Sequence, residues 1–140
     1  MADIGEAIIT QLKTESTVTD LAGTRFRPDE LAQKETLPAV AYFIFAEDSE
    51  ASLSGKVGMA ETRLQLDCYA VTRSAANGLA DAIIDKLDGI TGTFSGINVY
   101  QCFKDNRYYR ADAPTPGASI SRRRVVLDFV IIHSEPTPSL

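Results

Sequence analysis

His133 is the only histidine in the chain and closes its last apolar run, while the two cysteines, Cys68 and Cys102, sit among strand-like apolar residues. These three carry the side chains best suited to acid–base, nucleophilic or metal chemistry. A Ser-His-Asp device would have to recruit His133, and no nucleophile-elbow pattern accompanies it. A metal site would need all three to converge without the paired local spacing that zinc ligands show. The cysteines are too few for a disulfide framework and read as buried free thiols. Gly55-Lys56-Val57 looks like the end of a phosphate loop, but Glu50 stands where the first glycine belongs and Val57 replaces the magnesium-binding hydroxyl. The run GITGTFSG at 89–96 lacks dinucleotide-binding spacing and follows a helix rather than a strand. Glu47, Asp48 and Glu50 cluster without a basic or metal partner, as a solvated loop does. No enzyme activity, cofactor or metal is expected.

The elements that would position these residues follow from periodicity. Asp3 caps a first helix, with Glu6 three residues on, and Ile4, Ala7, Ile8 and Leu12 share one face. A turn over Thr17 to Leu21 ends at Gly23. Thr24 to Arg27 is a short extended piece, and Pro28 to Leu37 is irregular. Ala39 to Ala46 is a strand apolar on both faces, with Ala39, Ala41, Phe43 and Phe45 against Val40, Tyr42 and Ile44. Glu47 to Met59, rich in Ser, Gly and charge, reads as a long mobile loop. Ala60 to Val71 alternates cleanly and completes a long hairpin. Thr72 to Asp88 forms a second helix with Ala76, Leu79, Ala80, Ile83 and Leu87 buried, Asp81 and Asp85 wet, Gly89 as stop, and Gly78 allowing close approach to the sheet. Gly89 to Gly96 is a turn. Ile97 to Phe103 is a strand that continues through KDNRYYR into the loop ADAPTPGASIS, and Arg122 to His133 is a last strand with two apolar faces.

This order predicts an α+β fold: a mainly antiparallel sheet, two helices packed on one face, and a long β-hairpin loop. One domain spans 1–134, with a flexible tail over 135–140. Two helices cover one sheet face only, so the doubly apolar strands ask for a partner, most economically a second copy.

Charge is uneven. Residues 1–50 hold four basic and ten acidic side chains, a net of −6, whereas 101–124 hold six basic against two acidic, a net of +4. Such poles are either solvated faces or complementary surfaces for head-to-tail packing, which makes Arg107, Arg110, Arg122, Arg123 and Arg124 candidates for an inter-subunit contact. The alternative is a small nucleic-acid-binding domain using the basic, aromatic segment 103–124. A whole-chain charge of −5 opposes that reading, and no specific nucleic acid is expected. No apolar run approaches the ~18–20 residues of a membrane span, so no membrane partner is expected.

The segments LAGTRFRPDE, LPAVAYFIF, LQLDCYAVTRSAANGLADAIIDKLDG and RRRVVLDFVI, in this order and spacing, resemble the tail-completion proteins (tail-terminator, or tail-to-head-joining) of long-tailed phages, prophages and gene-transfer particles. The likeness spans Ile4 to Ile132. Cys68-Tyr69 stands where the family often has tryptophan after the Leu-Asp pair. The resemblance implies a ring, usually of six subunits, that caps the tail tube, stops its polymerisation and docks the head. Its partners would be further copies of itself, the tail tube protein and a head-completion (connector) protein. The chain would work at the head-proximal end of the virion tail, assembled in the bacterial cytoplasm. The 47–59 loop, with Ser49, Leu53, Ser54, Lys56, Val57 and Met59, then becomes the candidate tube contact, because it has almost no apolar anchor of its own.

Overall fold

The structure is a computed structural model that describes residues 3–32, 34–52, 55–111 and 122–135. Helix α1 (Ile4–Leu12) starts as expected, the Asp3 side chain accepting the Glu6 N–H at 2.7 Å. Its apolar stripe is buried, and Gly5 lets it lie close on the sheet: a Cβ there would sit 3.3 Å from Ile44. The stretch expected as a turn is a short helix, α2 (Ser16–Ala22), ended by Gly23 at φ +58. It buries only Val18 and Ala22, too short a stripe to register as helical periodicity. The described residues therefore hold three helices, the third being α3 (Arg73–Leu87), capped by the Thr72 side chain on the Ala75 N–H. Gly78 does not serve close approach, since nothing lies within 4 Å of a Cβ built there.

Six strands form one sheet: β1 (Phe26–Pro28), β2 (Ala39–Ser52), β3 (Gly55–Ala70), β4 (Gly92–Phe94), β5 (Ile97–Ala111) and β6 (Arg123–Ser134), in the order β1-β2-β3-β6-β5-β4. The sheet is mixed: β1 runs parallel to β2, and every other pair is antiparallel. The architecture is α+β, with corrections to helix count and strand direction. Strand β4 was hidden in the expected turn, three residues with no buried side chain to mark them.

The long mobile loop expected over Glu47 to Met59 is mostly strand. Pairing continues through Ser49↔Ala60 to Ser52↔Gly55, with a register shift between Ser49 and Ala51. Alternation failed as a guide here because Glu47, Asp48, Ser49 and Met59 are exposed and have no core to alternate against.

The core lies between the helices and the sheet face carrying Val40, Leu64, Leu66, Cys68, Val125, Leu127, Phe129 and Ile131. Helix α1 touches both β2 and β4, near opposite edges, so the sheet curls around the helices. On the outer face Ala39, Ala41, Val126 and Val130 are buried within the single chain. Val126 stands between Asp67 and Tyr108, and Val130 between Arg63 and Phe103. These neighbours screen the small aliphatic side chains, which need no covering copy, whereas Phe45 of β2 remains exposed. The described helices contain none long and apolar enough to cross a membrane.

Candidate functional site

The residues with chemical potential are spent on packing. The Ser134 carbonyl only accepts, so His133 Nδ1 carries a proton and donates to it at 2.8 Å, while Nε2 faces the Thr62 hydroxyl at 2.7 Å. Both His133 and Thr62 are buried, and the pair ties β6 to β3 beneath the helices. Cys68 and Cys102 are buried free thiols. Burial pushes the Cys102 thiol up to about 12, with Asp88 adding to the effect, and drives Cys68 higher still. Neither supplies a thiolate nucleophile. Among the described residues no group of three or more His, Cys, Asp or Glu is arranged to hold a metal.

The features that stand out are two long hairpins. Since β3, β5 and β6 are antiparallel neighbours, the paired strand ends Ser52↔Gly55 of β2–β3 and Ala111↔Arg123 of β5–β6 lie at opposite ends of the sheet. At the first end, β6 stops opposite Met59 (Met59↔Ser134), so among the described residues the pairs Ala51↔Lys56 and Ser52↔Gly55 have no third strand beside β3. This two-stranded ribbon is gripped at its root. The Glu135 N–H donates to the Gly58 carbonyl at 2.8 Å, and the Ser49 hydroxyl donates to the Glu135 carboxylate at 3.0 Å. Of the expected tube-contact residues, Ser49 is thus a root residue, Met59 is exposed, and Lys56 and Val57 are strand residues of the ribbon. Leu53 and Ser54 lie outside the described residues, as do the 112–121 segment and the 136–140 tail.

At the second end the arginines separate into different roles. Arg107 reaches from β5 to α3, donating to Asp81 at 2.6 Å and to the Asn77 side chain at 3.1 Å. Arg122 bonds the Ala32 carbonyl and lies over the Tyr69 ring. Arg124 pairs with buried Asp67 at 3.2 Å and bonds the Tyr69 hydroxyl at 3.3 Å. Arg110 is exposed and Arg123 half-buried, and neither has an acidic partner among the described residues. The basic, aromatic run is split by strand alternation: Arg107 and Tyr109 turn to the helices, with Arg73 stacked 4.5 Å over the Tyr109 ring, whereas Tyr108 and Arg110 turn outward. That division takes Arg107 and Tyr109 out of any surface on which bases could stack.

The outer face between the two ends is a polar lattice. Gln65 donates to Asp67 at 2.8 Å, and Arg63 pairs with Asp105 at 3.3 Å. Asp128 sits in the middle with one carboxylate oxygen lacking a hydrogen-bond partner among the described residues. Burial raises its pKa first, then the charges of Asp105 and Asp67, against the opposing Arg63. The reach of Arg107 to Asp81, and of His133 to Thr62, left no trace in local sequence, because 26 and 71 positions separate the partners.

A family model described as tail completion protein gp17 matches residues 6–134. The chain belongs to that family. Its members are structural proteins of virion tails. A comparison with curated proteins finds no match. Among solved structures, a chain from the virion of a native gene transfer agent (GTA) particle superposes with a TM-score of 0.66 at 21% identity, covering 94% of each chain. At that identity the likeness speaks for the fold.

Proposed function

We propose that copies of this chain form a ring, six by the family resemblance, that caps the tail tube, ends its growth and presents the surface on which the head docks. The observation that carries this reading is the pair of hairpins at opposite ends of one sheet, one with an acidic arm and the other rooted among arginines. A terminating subunit must meet the tube with one surface and the next copy in its ring with another, and a fold with two unlike ends suits that task. The ribbon, with Ser49, Leu53, Ser54, Lys56, Val57 and Met59, is the proposed tube contact. Arg107, Arg110, Arg122, Arg123 and Arg124 mark the end proposed to meet a neighbouring subunit; Arg110 and Arg123 are the two without an acidic partner among the described residues. Cryo-electron microscopy of intact particles tests the reading. A ring of this chain at the head-proximal end of the tail is expected, and its absence from that position would end the proposal.

A further inference from the structure

The strand register places like charges directly opposite each other twice on the outer face. Asp48 faces Glu61 across β2 and β3, and Arg110 faces Arg124 across β5 and β6. Like charges so placed destabilise a sheet. Arg124 has Asp67 for compensation, but Asp48, Glu61 and Arg110 have no oppositely charged partner among the described residues. The two pairs cannot relieve each other within one chain. Glu61 and Tyr69, the residue opposite Arg124, are eight positions apart on β3, roughly 25 Å at the usual rise of a strand. That is well beyond the ~8–10 Å over which exposed charges act in physiological salt.

We propose that the acidic Asp48–Glu61 corner of one copy docks on the basic Arg110–Arg124 corner of the next. The contact rests on the ring reading and specifies its interface. It joins two different patches, so it is heterologous and repeats from copy to copy until the ring closes. The two corners lie at opposite ends of the strands and on different strand pairs, β2–β3 and β5–β6, as a chain of head-to-tail contacts requires. The signs match: the two carboxylates meet a corner where Arg124 is shared with Asp67 and Arg110 supplies the uncommitted guanidinium.

Disulfide trapping during particle assembly tests the contact. In cells producing particles with an Asp48→Cys/Arg110→Cys chain, mild oxidation is expected to yield covalent multimers beyond the dimer, while each single variant stays monomeric. The native thiols are fully buried and do not interfere. A product that stops at the dimer would overturn the head-to-tail contact in favour of a two-fold one. Absence of any cross-link in particles whose tail-end ring is visible by cryo-electron microscopy would overturn this interface and leave the ring standing. Charge exchange gives the second arm: Arg110→Glu is expected to cause loss of head-joined particles, and adding Asp48→Arg to restore them. Failure of that restoration, with both variants folded, assigns Arg110 to a different anionic partner and overturns the proposal.

Discussion

The β2–β3 and β5–β6 hairpins are the same supersecondary unit held in two ways. The second is clipped to helix α3 along its outer strand: Arg107 grips Asp81 and Asn77, Arg73 stacks on Tyr109, and the Lys104 N–H donates to Asp88 at 2.9 Å. Beside it, the Gly89 N–H donates to the Cys102 carbonyl at 2.7 Å. The first begins in the core at Val40 and Leu66 but ends as a ribbon that outruns β6, fastened among the described residues through Glu135. Local stability follows contacts with the body, so the hairpin clipped to α3 is expected to open less readily than the ribbon.

That contrast can be broken most severely at Phe129, fully buried on β6 between Leu64 and Lys104. Phe129→Ala is expected to cost about 3–5 kcal/mol, read as a lower midpoint in denaturant unfolding. A loss under about 1 kcal/mol would mean that β6 is not the keystone. Thr62→Val comes next. It deprives buried His133 Nε2 of its hydroxyl neighbour and is expected to cost about 1–3 kcal/mol, whereas Thr62→Ser should recover most of that loss by calorimetry.

Smaller effects sharpen the comparison. Gly78→Ala meets open space on α3 and is expected to stabilise by about 0.5–1 kcal/mol, raising hydrogen-exchange protection in α3 and β5 more than in the ribbon. Arg107→Ala removes a partly exposed ion pair and should cost no more than about 1 kcal/mol, with protection falling along 104–110 first. Replacing 50–57 by a two-residue turn is expected to leave the melting temperature nearly unchanged while abolishing tail completion. A large drop in melting temperature would show that the ribbon belongs to the folding unit after all.

Much of the architecture was legible locally. The Asp3 cap, the buried stripes of α1 and α3 and the alternation of β3 are interactions within a few residues, and they appear where periodicity placed them. The short elements α2 and β4 were not legible, since each buries too little to leave a pattern. The ribbon was misjudged for a related reason: alternation reports a core on one side, and backbone pairing alone leaves no mark on side-chain type.

By itself the sequence determined a chain with one histidine, two apolar-flanked cysteines, segregated charge and the segment order of a tail-completion protein, because composition and near-neighbour spacing carry all of these. Tertiary structure alone decided which arginines are already engaged, that the small outer-face aliphatics need no covering copy, and that Asp48 faces Glu61 while Arg110 faces Arg124. Each of those depends on strand register between distant segments, and a shift of one residue would turn every one of these side chains to the other face.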